Sequence, residues 1–201
     1  MEASAAYVYL VPRRKGGKAM VMKSRRLTVE TLTPQEFAAF GEVIEIDNRQ
    51  YTSINNGLAH RYHKLATADV LDEGGEAIIS IFKARIPSFP LIIDSLERHP
   101  LGSQAFIPLL GNPFLILVAP KGDSPKSSKI RAFVTNGRQG VNYFKGVWHF
   151  PLLALVERDQ LLVIDRDGVG DNCETKACDG GAVELHKESI PASTLLGLSW
   201  R

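Results

Sequence analysis

A short stretch near the middle of the chain holds the densest group of residues that could do chemistry. Residues 97–104 read Glu-Arg-His-Pro-Leu-Gly-Ser-Gln. On a strand, alternate side chains point to the same side, so Glu97 and His99 would face one ligand together. A carboxylate beside an imidazole can move a proton or hold a metal ion. The same residues could form a solvated surface turn, and the spacing to later residues favours a site over that alternative.

The spacing of these residues resembles the two sequence motifs of cupin proteins. Four residues separate His99 from Gln104, and six separate Gln104 from Gly111, as in the first motif. Glu97 and Gln104 replace a histidine and a glutamate of that motif. Residues 146–149 read Gly-Val-Trp-His and resemble the second motif, although its proline and asparagine are missing here. A lone histidine beside tryptophan is more often a packed core residue, but its position on a second barrel strand favours a function.

Together the motif positions supply a donor set for a divalent metal ion. The set comprises Glu97, His99, Gln104 and His149. Two imidazoles, a carboxylate and a weak amide oxygen suit nickel, zinc or manganese, and we expect nickel first. Without a metal, His149 or His99 would be the base and Glu97 would orient it. We expect no organic cofactor.

The elements that position these residues are predicted to be short strands. Runs rich in β-branched and aromatic residues are separated by turn sequences rich in glycine, asparagine, aspartate and proline. The runs are residues 43–46, 77–82, 105–109, 114–119, 130–134, 147–156 and 161–164. Evenly spaced short strands predict an all-β barrel or sandwich. One short helix is predicted before Gly41, because Thr33-Pro34-Gln35-Glu36 is typical of a helix N-terminus.

Length and charge favour one domain with a basic head. The chain has 201 residues, of which 44% are apolar, enough for one core and too few for two typical domains. Residues 1–26 hold seven Lys/Arg and one Glu, whereas residues 27–201 hold 17 Lys/Arg and 21 Asp/Glu. We expect a disordered extension over 1–26, a single catalytic domain over 27–175 and a tail of undetermined structure over 176–201. An acidic domain argues against nucleic acid as a partner.

Other sequence features concern membranes and the cellular compartment. No apolar stretch approaches the roughly 18 residues needed to cross a bilayer, so no membrane partner is expected. Cys173 and Cys178 have no second cysteine pair and no histidine cluster nearby, so we expect free thiols. Free thiols are typical of a reducing compartment, and we expect the cytoplasm.

A larger resemblance covers most of residues 27–175. The matching segments are INNG at 54–57, RYH at 61–63, ERHPLG at 97–102, QAFIP at 104–108, RAF at 131–133, GVNY at 140–143, WH at 148–149 and DNCE at 171–174. These segments and their order resemble sequences of the ureidoglycolate lyase family. The resemblance implies a cupin-like jelly-roll barrel (a double-stranded β-helix), usually a homodimer. It also implies cleavage of (S)-ureidoglycolate to glyoxylate and urea in allantoin degradation.

That substrate suggests roles for further residues. Ureidoglycolate carries a carboxylate, and Arg61 or Arg131 could hold it through two parallel hydrogen bonds, with His63 pointing the same way as Arg61. Amides could recognise the ureido group, and the candidates are Asn55, Asn56 and Asn142. Tyr143 is a candidate proton donor, and Trp148 could form a wall that excludes water. Surface ion pairs, a tight turn and ordinary barrel packing are the alternatives for these residues.

Three other functions are alternatives to the lyase. A ureidoglycolate hydrolase would release ammonia and carbon dioxide instead of urea. A cupin oxygenase would need iron and a richer set of histidines, which Glu97 and Gln104 disfavour. A non-catalytic sensor would usually be joined to a DNA-binding domain, and we expect none here.

Overall fold

The computed structural model describes residues 24–195 and consists mainly of short strands. In the first half of the chain these are β1 Arg25–Arg26, β2 Val29–Thr31, β3 Gly41–Ile44, β4 Thr52–Ile54, β5 Ala59–Arg61, β6 Glu76–Ala84, β7 Leu91–Ile93 and β8 Ser95–Arg98. In the second half they are β9 Gln104–Pro108, β10 Phe114–Ala119, β11 Arg131–Val134, β12 Gly140–Tyr143, β13 Trp148–His149, β14 Leu153–Ala154, β15 Asp159–Asp167, β16 Glu174–Ala177 and β17 Val183–Leu185.

Helices are few and short. They are α1 Pro34–Phe37 and α2 Ala192–Leu195, with single 3-10 turns at Asn55–Gly57, Asp72–Gly74, Ser127–Lys129 and Lys187–Ser189. The predicted helix start is confirmed, because the Thr33 hydroxyl accepts a hydrogen bond of 3.2 Å from the backbone N–H of Glu36. Within residues 24–195 no helix is long and apolar enough to cross a membrane.

Two larger sheets face each other and form the barrel. One has the strand order β16-β8-β13-β10-β11-β2, with β14 also paired to β10. The other has the order β3-β12-β9-β15-β6. A smaller sheet of β1, β17 and β7 and a separate hairpin of β4 and β5 complete the described strands. This is an all-β, cupin-like architecture, as the sequence predicted.

Strand β10 is buried on both faces because its side chains alternate between two cores. Phe114, Ile116 and Val118 pack between the two larger sheets, against residues such as Phe106 and Val163. The alternate residues of β10 pack on the other side, toward the smaller sheet. The strand that carries His149, β13, is paired directly to β10. His149 therefore lies beside the inner core.

Some predicted boundaries differ from the structure. The run 147–156 is divided into β13 and β14, and Pro151 between them has no N–H to donate to a sheet. The predicted extension ends within β1, which pairs with β17, and β17 itself lies in the predicted tail. Residues 1–23 and 196–201 lie outside the described residues, so the predicted disorder of the head is not addressed there.

Candidate active site and metal site

Three predicted residues meet at one end of the inner core. The ligand atoms of Glu97, His99 and His149 all lie within 4.8 Å of one another. Glu97 on β8 is the direct cross-strand partner of His149 on β13, and His99 follows the last residue of β8. The two imidazole rings are 5.1 Å apart between centroids. The structure therefore brings together the carboxylate and both histidines that the motif spacing singled out.

Backbone carbonyls determine which ring nitrogen of each histidine is free. Nδ1 of His99 lies 2.6 Å from the carbonyl oxygen of Asn172, and Nδ1 of His149 lies 3.0 Å from that of Val147. A carbonyl only accepts, so each Nδ1 carries a proton, and in the neutral form of the ring each Nε2 presents a lone pair. Both Nε2 atoms are buried and have no hydrogen-bond partner among the described residues. Two lone pairs beside a carboxylate fit a divalent metal ion.

Burial favours the neutral forms of both His149 and Glu97. It lowers the pKa of His149 to about 3, with a further lowering from nearby His99, while the hydrogen bond to Val147 acts the other way. His149 is therefore neutral at pH 7, and its 3.6 Å separation from Glu97 is a contact rather than an ion pair. Burial also raises the pKa of Glu97, against a lowering by His99. A neutral imidazole with so low a pKa is a better ligand than proton acceptor.

Tyr143 forms the opposite wall of the cluster. It lies on β12 in the facing sheet, and its ring stacks on that of His149 at 4.6 Å and 21°. Burial and the charge of Glu97 raise the pKa of its hydroxyl well above the ordinary range. The phenol therefore stays protonated at neutral pH, and its hydroxyl can donate a hydrogen bond there.

A cavity of about 490 Å³ opens onto Glu97. Its wall includes Gln104, the expected fourth ligand, whose Nε2 lies 3.5 Å from a carboxylate oxygen of Asp165. Lys83 and Arg85 bring positive charge to the same wall. Sequence reasoning missed Arg85, because a charged residue at the end of a strand looks like an ordinary solvated side chain. Its approach to Glu97 depends on the pairing of distant strands.

Arg131 lies apart from the cluster. Its guanidinium forms ion pairs with Glu30 and with Glu36, the latter at 2.7 Å, and it packs over the ring of Phe133. These partners raise the pKa of Arg131 further above its usual range. Its charge is already balanced by two carboxylates.

Asn142 and Trp148 belong to faces of their strands that point away from the cluster. Asn142 donates to Glu42 at 2.9 Å and to the carbonyl oxygen of Thr67 at 3.0 Å, on the face of β12 opposite Tyr143. Trp148 precedes His149 on β13, so its ring enters the outer core, where its N–H donates to the Gly122 carbonyl at 3.0 Å. Trp148 is thus core packing on the far side of the strand.

The remaining candidates lie on or next to the β4–β5 hairpin. They are Asn55, Asn56, Arg61 and His63, and all four are exposed. Asn55 and Asn56 have φ values of 53° and 55°, which the sequence had allowed as a tight turn. In residues 24–195 no hydrogen bond or ion pair joins the four to the cluster. Their roles stay predictions.

Comparison with known proteins agrees with this site. The family model for ureidoglycolate lyase matches residues 24–184. A ureidoglycolate lyase of Pseudomonas fluorescens (strain Pf0-1) is 59% identical over 150 residues, which cover 75% of this chain and 90% of the relative. One of Stutzerimonas stutzeri (strain A1501) is 58% identical over 150 residues, covering 75% and 88%. The cupin-like barrel, the Glu-His-His cluster and these matches together lead to one conclusion: the chain belongs to the ureidoglycolate lyase family.

Proposed function

We propose that this chain cleaves (S)-ureidoglycolate to glyoxylate and urea, as a carbon–nitrogen lyase of allantoin degradation. The observation that carries the proposal is the cluster of Glu97, His99 and His149. Both histidine Nε2 atoms are buried and have no hydrogen-bond partner in residues 24–195, and Glu97 lines an open cavity. The name of its relatives, ureidoglycolate lyase, favours urea over ammonia as the nitrogen product.

The cluster is proposed to hold a divalent metal ion, with nickel as the first choice and zinc or manganese as alternatives. Two neutral imidazoles and one carboxylate are donors that such ions accept. The backbone carbonyls on each Nδ1 orient the rings before any ligand arrives. A bound ion would draw charge from the substrate hydroxyl and make its proton easier to remove.

Proton transfer is assigned to Glu97, and a hydrogen bond to the leaving group is assigned to Tyr143. The reaction breaks the O–H and C–N bonds of the hemiaminal, forms the C=O bond of glyoxylate and places one proton on the urea nitrogen. The carboxylate oxygen of Glu97 that does not hold the ion can take the hydroxyl proton and return it to that nitrogen. Tyr143 keeps its own proton and can donate a hydrogen bond to the departing group.

The substrate carboxylate needs a cation that is not already paired. Arg131 is engaged by two glutamates, which disfavours it. Arg85 lines the cavity together with Glu97 and forms no ion pair with the described residues. We therefore assign the anchoring role to Arg85, and Arg61 on the exposed hairpin is the second candidate. A guanidinium suits this task because it binds a carboxylate through two parallel hydrogen bonds.

The chain is further proposed to form a homodimer through β6. This strand is at the edge of its sheet. On its outer face, Ile79 is 72% exposed and Ile81 is 61% exposed. A long apolar edge strand is a site of pairing with another chain. Cys173 and Cys178 are both free, which supports a reducing compartment such as the cytoplasm.

The test is a complete product balance. Purified protein is analysed for metal, stripped with a chelator, and reloaded separately with nickel, zinc or manganese. Each form is incubated with ureidoglycolate, and urea, ammonia and glyoxylate are quantified together. We expect urea and glyoxylate in equal amounts, with activity lost on chelation and restored by one of the ions.

Variants and alternative products make the outcome decisive. His149→Gln should lose both bound metal and turnover, whereas His186→Gln, whose Nε2 instead contacts Glu184 at 2.8 Å in another sheet, should keep both. Ammonia in place of urea would identify the hydrolase. Absence of turnover with every metal would contradict the enzymatic proposal.

A further inference from the structure

Asp165 contributes a buried carboxylate oxygen for which the described chain provides no donor. Its Oδ1 is inaccessible to solvent and has no hydrogen-bond partner in residues 24–195. Leaving such an acceptor unsatisfied is costly, so a bound water or ligand is expected to supply the missing donor. The residue lies on β15, two positions after Val163, and therefore faces the inner core, where Gln104 connects it to the cavity.

Strand pairing places Asp165 next to Gln104. Ile164 pairs with Ala105 across the antiparallel strands β15 and β9, so Asp165 and Gln104 are the next pair in that register. The other oxygen of Asp165, Oδ2, lies 3.5 Å from Nε2 of Gln104. A carboxylate accepts only, so the Gln104 amide must turn its NH₂ toward Asp165. Gln104 is in turn the cross-strand partner of Tyr143, and it lines the cavity with Glu97.

We propose that Asp165 and Gln104 form the subsite for the ureido group of the substrate. The terminal NH₂ of a urea is a pure donor, and the unpartnered Oδ1 of Asp165 is an acceptor of matching chemistry. Asp165 also orients Gln104, whose remaining amide oxygen can accept from the second urea nitrogen. The pair thus recognises the leaving group, while Arg85 takes the carboxylate. The inference rests on the proposed function and names the part of the site that distinguishes a ureido acid from other small acids.

Two ligands that resist turnover separate ureido binding from general anion binding. Oxalurate carries a ureido group and a carboxylate on either side of an amide carbonyl carbon, whereas oxalate carries carboxylates only. Isothermal titration calorimetry measures both against the metal-loaded wild type, Asp165→Asn and Asp167→Asn. Asp167 has an exposed side chain and lies two residues further along the same strand. We expect Asp165→Asn to weaken oxalurate about tenfold or more and to leave oxalate unchanged.

Thermal unfolding supplies a second readout that a structural role would move in the opposite direction. An unsatisfied buried carboxylate opposes folding, so Asp165→Asn should unfold at the same or a higher temperature than wild type. A lower unfolding temperature would mean that Asp165 supports the fold, and equal losses for oxalurate and oxalate would mean a general effect on the site. Either result overturns the proposal, as does wild-type protein that does not bind oxalurate.

The two proposals fail in different ways. Wild type that releases urea, combined with an unchanged KM in Asp165→Asn, would refute the ureido subsite and keep the lyase. Wild type that binds oxalurate through Asp165 but releases no urea would refute the lyase and keep the subsite.

Discussion

At the scale of single residues, the site depends on side chains that lack partners inside the protein. The Nε2 atoms of His99 and His149 are buried without a donor or acceptor, and Arg85 is a cation without an ion pair in the described chain. Arg131 shows the opposite case, because Glu30 and Glu36 already balance its charge. The two histidines and Arg85 therefore keep bonding capacity for a ligand, whereas the charge of Arg131 is already paired within the fold.

Removal of the Arg85 guanidinium should impair substrate binding more than chemistry. For Arg85→Gln we expect KM for ureidoglycolate to rise about tenfold or more with a smaller change in kcat, since one charge-assisted contact is lost. Steady-state kinetics of the metal-loaded enzyme measure this. The control is Arg138→Gln, which removes a guanidinium paired with Asp47 at 2.8 Å on the surface. Equal kinetics for both variants would return the anchoring role to Arg61.

The buried neutral state of His149 predicts that the metal-free protein is less stable in acid. Its pKa falls from an ordinary 6.5 to about 3 on folding, so the unfolded chain binds more protons between these values. The contribution of His149 to the free energy of unfolding is therefore fully present above pH 6.5 and is lost as the pH falls toward 3. Between pH 7 and 5 this histidine accounts for a loss of about 2 kcal/mol.

Guanidinium chloride unfolding in the presence of chelator, at both pH values, measures that loss. Glu97 acts in the opposite direction, because its raised pKa favours the folded state in acid. The comparison with His149→Gln isolates the histidine: the variant should lack this part of the pH dependence. A wild type and a variant with parallel pH profiles would disprove the prediction.

At the scale of elements, the loop before β16 holds His99 of the candidate metal site in place. The Asn172 carbonyl accepts from Nδ1 of His99, and its side-chain Oδ1 accepts from the backbone N–H of Leu101 at 2.9 Å. The loop before β13 adds a second attachment, since the N–H of Gly146 donates to the His99 carbonyl at 2.8 Å. Gly146 has φ +77°, a conformation that suits glycine. Two loops from distant parts of the chain thus orient one imidazole.

Loss of the Asn172 side chain should loosen this arrangement without removing a ligand. We expect Asn172→Ala to lower metal affinity about 10-fold to 100-fold, the usual effect of losing a group that orients a ligand. Asn172→Asp keeps an acceptor oxygen of the same shape and should recover most of the affinity. Competition with a chromophoric chelator measures both variants. Equal affinity for wild type and Asn172→Ala would mean that the backbone alone orients His99.

At the scale of the whole molecule, each of the two larger sheets supplies part of the candidate site. The sheet that contains β8 and β13 supplies Glu97 and His149, and the facing sheet supplies Tyr143 and Gln104. The inner core between them ends at this polar group. The outer face of the second sheet carries the exposed isoleucines of β6.

A charge on that outer face should separate the proposed dimer. We expect wild type to have the mass of two chains and Ile81→Asp to have the mass of one, measured by size-exclusion chromatography with light scattering. Ile92→Asp is the matched control, because Ile92 is 50% exposed on β7 of the smaller sheet. A monomeric wild type, or a dimer that survives Ile81→Asp, would contradict an interface at β6.

The sequence by itself determined the all-β class, the start of the single predicted helix, and the group formed by Glu97, His99 and His149. These features depend on local patterns: alternation along a strand, a capping residue, and fixed spacing within a motif. The sequence marked several arginines and asparagines as possible substrate-binding residues, but it did not indicate which of them reach the site.

Only the tertiary structure decided which of these residues reach the site. Asp165 and Gln104 are 61 residues apart, and Arg131 and Glu30 are 101 residues apart, yet each pair is in contact. Such contacts arise from the register between distant strands, and a shift of one residue would turn every side chain to the other face. No spacing within one segment encodes that register. The fold therefore determined that Glu30 and Glu36 pair with Arg131 and that Trp148 packs in the outer core. It also left one oxygen of Asp165 without a partner among the described residues.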